Sequence, residues 1–341
     1  MSSETGSRFR STRGAPHWPS RGLPVSSCDD IILTIDLGGT RIKAGLVSGD
    51  TVIEVRIVPT NDERGFTEVL RTLEQVGDDL LGRATVRAVA LSVPAVVDPV
   101  RGVVVDVRKN LLGLIDFPLA ETLAEHFQLP VVMENDARLY GLGEVRAGAA
   151  RGAANMVCLT LGTGVGCCVM IDGRILRGRD GLGGILAGHL TIETYGPRCT
   201  CGNIGCVEVL CRAASLVDEA RARLAAHPDH ALAFVSPLTP EAVIAAASAG
   251  DDLAGAALGV YLRHLAAAVT SYVHVYDPDI VVLGGGIMHA DAAIVPFVAQ
   301  FVQEHAWVVA HHPVVVTASA LGDHAALIGA ASLARGEALF S

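Results

Sequence analysis

Aromatic residues are scarce in this chain: they make up 4% of its 341 residues, although half of the sequence is hydrophobic. The apolar content is therefore mainly Ala, Val and Leu, a mix suited to packed strands and helices and incompatible with disorder over most of the length. Basic residues are in deficit, with 26 Lys+Arg against 36 Asp+Glu and a formal net charge of −10. Sequence-independent nucleic-acid binding needs a basic surface to displace counterions, so that class is excluded. No unbroken run of eighteen apolar residues occurs. The nearest, 156–171, is interrupted by Gly162, Gly164 and Gly166, so no membrane-spanning helix is expected. A secretory apolar segment is also missing from the start. The length suits two domains or two lobes.

The first stretch differs from the rest. Up to Cys28 it holds Arg8, Arg10, Arg13 and Arg21 against one acid, Glu4, with scattered Ser, Pro and Gly and no helical or strand period. Residues 1–29 read as a disordered basic arm, and an organelle transit peptide is the other reading of an Arg- and Ser-rich, acid-poor start. From Ile31 the pattern is strand-like over Ile31–Leu37, 42–48 and 52–58, followed by a helix over Phe66–Leu81 with Val69, Leu70, Leu73, Val76 and Leu80 at helical spacing. Further strands are expected at Val86–Val93 and 131–134, and a helix near Leu119–Phe127. A second strand–turn–strand begins at Met156, where LTLGTGVG echoes the earlier TIDLGGTR about 125 residues away. A long apolar helix at 254–276, a buried strand at 280–283 and a last helix at Ala325–Ala334 complete the pattern. Alternating strands and helices, with hairpins among the first strands, predict an α/β architecture of two duplicated lobes with mixed sheets.

Three glycine-rich segments each follow an apolar strand: Asp36-Leu-Gly-Gly-Thr40, Leu161-Gly-Thr-Gly-Val-Gly166 and Leu283-Gly-Gly-Gly-Ile287. Turns without side chains let backbone N–H groups approach and bind phosphate oxygens. One such turn alone is no more than a tight β-turn; three after strands favour a phosphate cradle. A P-loop motif is absent. The best G-x-G-x-x-G candidate ends on Cys167, so a dinucleotide-binding fold is excluded as well. Asp36 adds a carboxylate to the first turn, which suits water-bridged Mg²⁺ beside phosphate, or a capping role in the turn.

His189 precedes Cys199-Thr-Cys201-Gly-Asn-Ile-Gly-Cys206. One imidazole and three thiolates form a complete tetrahedral Zn²⁺ set, and four protein ligands leave no open position, so the ion would be structural. This use of the eight cysteines also points to a reducing, cytoplasmic location. Glu134-Asn135-Asp136 ends a strand and opens a helix, which is expected to be an exposed place at the carboxyl edge of a sheet. There Asp136 is placed to accept a proton from an attacking hydroxyl while Asn135 holds a second hydroxyl; a mere N-cap is the alternative.

These segments resemble the ROK family (repressor, open reading frame, kinase), a branch of the actin-like sugar-kinase superfamily. The resemblance runs from about Ile31 to Gly336 and is strongest at Asp36-Leu-Gly-Gly-Thr-Arg-Ile-Lys-Ala-Gly45, Glu134-Asn-Asp136, Leu161-Gly-Thr-Gly164, Gly188-His189 and Cys199-x-Cys-Gly-x-x-Gly-Cys-x-Glu208. It implies an actin-like (ribonuclease H-like) fold, with a first lobe over 30–135 joined by the last helix, 323–338, and a second lobe over 136–322 carrying the zinc knuckle 189–206. It implies Asp136 as catalytic base and Asn110, Asn135, His189 and Glu208 facing a sugar. ATP phosphates fall to Asp36, Gly38, Gly39, Thr40, Lys43, Gly162, Thr163 and Gly164, and adenosine to Gly284, Gly285 and Gly286. A homodimer acting on ATP and a small sugar, with Mg²⁺ and structural Zn²⁺ and with no nucleic-acid or membrane partner, is the implied assembly. Family repressors carry a DNA-binding segment before the first motif that these thirty residues do not resemble. Three features depart from the family pattern: Leu186 replaces an acid, Leu114 an aromatic, and the pair Cys167-Cys168 the glycines after the second turn. The expected activity is phosphorylation of a hexose or N-acylhexosamine, with a catalytically weak sugar-binding regulator as the alternative.

Overall fold

The computed structural model describes residues 30–107, 109–289, 293–307 and 312–336, so the basic arm lies outside the described residues. β1 (Ile31–Leu37) turns through Gly38 and Gly39 into β2 (Arg41–Ser48), and β2 into β3 (Thr51–Pro59). α1 (Phe66–Leu81) buries Val69, Leu73, Val76 and Leu80 on one face, as their spacing predicts. After β4 (Val86–Val93), a small hairpin of β5 (Val96–Asp98) and β6 (Val103–Asp106) and helix α2 (Leu119–Phe127) lead to β7 (Val131–Asn135). The sheet order is β3-β2-β1-β4-β7, antiparallel on the hairpin side of β1 and parallel beyond it.

α3 (Asp136–Ala147) leaves this sheet and enters the second lobe. There β8 (Met156–Leu161), β9 (Val165–Ile171) and β10 (Arg174–Ile175) repeat the opening hairpins. A tight turn at Ile185–His189 and the cysteine knuckle precede α4 (Val207–Cys211), α5 (Ala213–Leu224), α6 (Pro240–Ser248) and α7 (Asp252–Tyr276). The chain ends with β11 (Ile280–Gly284), α8 (Ile294–His305), β12 (Val315–Ala318) and α9 (Ala325–Ala334). The second sheet reads β10-β9-β8-β11-β12, strand for strand the order of the first. The duplication heard in the two glycine motifs is therefore a duplication of whole sheets.

Sequence periodicity did not bring out the β5–β6 hairpin, α5, α6, α8 or β12, which are short or apolar on several faces. α7, expected from the sequence as a long apolar helix over 254–276, is by length and composition apolar enough to cross a membrane, although no membrane-spanning helix was expected. In the structure α7 is a core helix: Tyr261, Leu265, Val269 and Tyr272 pack with α5, α6 and α8 in the main cluster of the second lobe.

α3 has almost no free face. Leu139 and Leu142 pack with Leu327, Ala330 and Ala331 of α9 and with Ile32, Ala88 and Ala90 of the first sheet, while Val145 joins Met156, Cys158, Cys168 and Met170 of the second. α3 and α9 cross so closely that a Cβ at Gly329 would lie 1.8 Å from the Leu139 carbonyl oxygen. Backbone cannot yield as a flexible side chain can, so Gly329→Ala is expected to destabilise by about 1–3 kcal/mol or more. Urea unfolding of the two proteins measures this; equal midpoints would show that the helices have room to separate.

Candidate active site

The register of the first sheet builds one wall of the site. Asp36 of β1 pairs with Lys43 across the antiparallel ladder and with Ser92 across the parallel one. Ser92 Oγ donates to Asp36 Oδ1 at 2.5 Å. The turn beyond Asp36 is held by its own backbone: Gly38 N–H donates to the Arg41 carbonyl at 3.0 Å, and Thr60 Oγ1 to the Gly38 carbonyl at 2.8 Å. A Cβ at Gly38 would meet the Arg41 oxygen at 2.6 Å, so this position requires glycine, whereas Gly39 and Thr40 are exposed. The Lys43 ammonium is buried and already engaged, donating to the Asp323 carbonyl at 2.7 Å and lying 3.4 Å from the Asp323 carboxylate. Arg41 meets the same carboxylate at 3.2 Å. Asp323 was not singled out from the sequence; nothing local marks a residue 280 positions away as the partner of Lys43.

The Glu134-Asn135-Asp136 segment is not exposed, contrary to expectation. Glu134 is fully buried and Asn135 nearly so, because β7 lies against β4 and α3 is covered on both sides; Asp136 is half-buried. Asn135 is the N-cap of α3, its Oδ1 accepting from Arg138 N–H at 3.2 Å. Its Nδ2 donates to the Ala95 carbonyl at 3.1 Å and to Asp136 Oδ1 at 3.0 Å, so both amide protons are used inside the protein. Asp136 Oδ1 also accepts from Ala137 N–H at 2.8 Å. Desolvation, reinforced by the charge of Asp36, raises the Asp136 carboxyl from 3.8 to about 7 despite these bonds. Burial likewise raises Asp36, against Ser92 and Lys43. Asp36, near the end of β1, and Asp136, just past the end of β7, thus lie at the same edge of one parallel set of strands, and the charge of Asp36 acts on Asp136.

In the second lobe, Gly162, Thr163 and Gly164 form the turn between β8 and β9, with Gly162 N–H donating to the Gly164 carbonyl at 3.0 Å. Gly285, at φ +92°, lies against the backbone of Leu161, so the second and third glycine segments meet; Gly284 is buried beside Tyr140, and Gly286 is exposed. Glu208 stands behind the second turn, accepting from Val165 N–H at 3.4 Å and lying 3.9 Å from Cys199 Sγ. The side chain of Asn110 lies outside the described residues. Leu114 is fully buried in the core of the first lobe, Leu186 is exposed, and Cys167 and Cys168 continue β9 with their side chains in different clusters.

The ligand atoms of His189, Cys199, Cys201 and Cys206 all lie within 4.8 Å of one another. Cys199 Sγ is 3.7 Å from His189 Nδ1, and Cys201 Sγ is 3.7 Å from Cys206 Sγ. A tetrahedron of 2.3 Å metal–sulfur bonds has edges of about 3.8 Å, so this donor set fits a tetrahedral divalent ion. A cavity of about 460 Å³ lined by Glu193, Arg198, Arg212, Tyr261 and His264, among others, contains none of these candidate residues.

Two duplicated sheets of the same strand order, each with a glycine turn after its first strand, define a two-lobe α/β frame. The ROK family model matches residues 32–337, and the chain belongs to that family. It is 33% identical over 308 residues to the glucokinase of Thermotoga maritima, covering 89% of this chain and 96% of that one. With the N-acetylmannosamine kinase of Salmonella agona it shares 30% identity over 309 residues, 90% and 99% of the two chains. The crystal structure of a ROK family glucokinase from Streptomyces griseus in complex with glucose and AMPPNP matches with a TM-score of 0.77 at 28% identity, covering 89% of this chain and 99% of that one. The actin-like two-lobe fold is the fold of these neighbours.

A carboxyl raised in the folded state costs stability as pH rises from its ordinary value through the raised one, because the unfolded chain releases the proton first. Asp136→Asn keeps the acceptor oxygen and removes the charge. The variant is therefore expected to melt a few degrees above the native chain at pH 8 and together with it at pH 3. Differential scanning calorimetry checks this, and equal midpoints at both pH values would mean that Asp136 is well solvated.

Proposed function

We propose that this chain, a ROK-family sugar kinase, transfers the γ-phosphate of ATP to the primary hydroxyl, O6, of a hexose such as glucose or of an N-acylhexosamine. The observation that carries the reading is the Asp136 carboxylate, desolvated at a helix start beside Asp36 and the first glycine turn. A base with its pKa near neutrality has the balance of basicity and ionisation that proton abstraction needs. In this reading Asp136 accepts the O6 proton as that oxygen attacks the γ-phosphorus in line; the bond to the β–γ bridging oxygen breaks and ADP leaves. Phosphoryl transfer asks mainly for positioning and charge neutralisation. Backbone N–H groups of Gly39 and Thr40 and of Thr163 and Gly164 serve the phosphates in turns that Gly38 and Gly162 close through their own N–H groups, Lys43 adds charge, and Gly284–Gly286 back the adenosine. Mg²⁺ arriving with ATP neutralises phosphate charge, and Asp36 is the side chain that would hold it through water.

Asn110, Asn135, His189 and Glu208 form the sugar side; Asn135 has only its carbonyl oxygen left for a ligand. Structural Zn²⁺ on His189, Cys199, Cys201 and Cys206 would lock the knuckle behind Glu208. The same reading makes the protein a cytoplasmic homodimer that uses no nucleic-acid or membrane partner. The glucokinase and N-acetylmannosamine kinase relatives support both acceptor classes. Leu186, exposed three residues before His189, offers no hydrogen bond where a sugar hydroxyl would seek one. It favours a second reading, a catalytically weak sugar-binding regulator.

ADP release measured across hexoses and N-acetylhexosamines separates the two: turnover on one of them is expected, and binding without turnover would establish the regulator. On the best sugar, Asp136→Asn should lower kcat by about 10² or more. The acid limb of native kcat/KM should fall near pH 7, the value of the raised Asp136 carboxyl, and move to lower pH in Asp36→Asn, which removes a like charge. Near-normal turnover in Asp136→Asn would exclude it as the base. Elemental analysis should find about one zinc per chain, with chelation lowering the melting midpoint. Active protein without metal would refute the knuckle.

A further inference from the structure

Two residues beyond Asp136, α3 carries a buried arginine that phosphoryl transfer does not call for. Arg138 is 1% exposed. Its Nη1 lies 3.4 Å from Glu134 Oε1, one turn back. Its Nη2 donates to three carbonyls of a single loop: Leu176 at 3.2 Å, Gly181 at 2.7 Å and Gly183 at 2.9 Å. Glu134 is also met by Arg177 of that loop, Nη2 to Oε2 at 2.5 Å. One buried carboxylate thus faces two buried guanidinium groups, and the carbonyl dipoles around Arg138 help to offset the excess positive charge.

The loop is shaped for this contact. Gly178, Gly181 and Gly184 have φ of +65°, +75° and +80°, conformations that side chains oppose, and Gly183 N–H closes back onto the Arg177 carbonyl at 2.7 Å. It runs directly into the Ile185–His189 turn. That turn is fixed from the other side, where Tyr272 donates to the Ala187 carbonyl at 2.9 Å and a Cβ at Gly188 would lie 2.4 Å from the Val165 carbonyl oxygen. Arg138 therefore couples the helix that begins with Asp136 to the segment that ends in His189.

We propose that Arg138 is a positioning residue: by gathering the carbonyls of 176–183 around its guanidinium, it sets the sugar-facing turn at Ile185–His189 relative to Asp136. The proposal rests on the kinase reading for the identity of the ligand, and on the structure alone for the clamp. Glu134, Asn135 and Asp136 then act as one unit with the loop: the strand end supplies the counter-charge, the cap and the base, and the next helical turn holds the opposite wall.

Arg138→Met keeps the length of the side chain, removes every donor and leaves Glu134 its pair with Arg177. Amide hydrogen exchange over 176–189 in the purified full chain is expected to speed up by about ten-fold or more, while the α7 core stays protected. KM for the best sugar should rise by about ten-fold, with KM for ATP changed by less than about two-fold. Arg138→Lys keeps the charge beside Glu134 but cannot span three carbonyls. It should give the same split in milder form, and it decides the question if the Met variant does not fold. Unchanged exchange over 176–189, or equal rises in KM for both substrates, would overturn the proposal. Should the native chain phosphorylate no sugar, the kinase reading fails, and the exchange measurement still decides the clamp.

Discussion

The two-sided burial of α3 is the constraint on which the molecule depends. Its twelve residues lie between the first sheet with α9 and the second sheet, so each turn must satisfy two neighbours at once. Small residues appear where backbones touch: Gly143 lies against Ala325, and Gly141 against Cys168. Its buried charged residues, Arg138 and Glu144, each bind several groups. Glu144 accepts from Ala149 N–H at 2.8 Å, Ala320 N–H at 3.1 Å and Leu321 N–H at 3.0 Å, which fixes the connection into α9. Two residues later Asp323 holds Lys43 and Arg41, so the path from α3 to the first glycine turn is continuous in hydrogen bonds and ion pairs. A helix held in this way gives Asp136 a fixed place relative to both lobes.

That fixed place has an electrostatic cost. Asp36 and Asp136 are each desolvated and each feels a like charge, so the folded state holds them at raised pKa where solvent would leave them ionised. Ser92 and Lys43 soften the effect at Asp36, and Asn135 with Ala137 N–H at Asp136, without cancelling it. Paired carboxylates whose ionisation is opposed by their surroundings are poor stabilising elements and useful chemical ones, since a cation or a transferable proton relieves the repulsion. Next to them the Glu134–Arg138–Arg177 cluster shows the contrasting solution: complete desolvation with every charge met by an opposite charge or a carbonyl.

The sequence determined, by itself, whatever is encoded over a few residues. α1, β4, α2 and α9 begin and end where hydrophobic period and punctuation place them, because a period of 3.6 or 2 is the geometry of one local element facing one core. The glycine turns could be read as turns because glycines after an apolar strand let the backbone reverse tightly. The clustering of His189 with the three cysteines could be read because their short spacing keeps them close in one knuckle. Tertiary structure alone decided which charges meet. The contact of Lys43 with Asp323 joins residues 280 apart, and Arg138 reaches carbonyls 38 to 45 residues away. It also decided that Glu134 is buried rather than exposed, and that Asn135 spends its amide protons on Ala95 and Asp136. Burial, dielectric and the pairing of charges depend on distances through space, and those distances come into being only when two lobes close on a common helix.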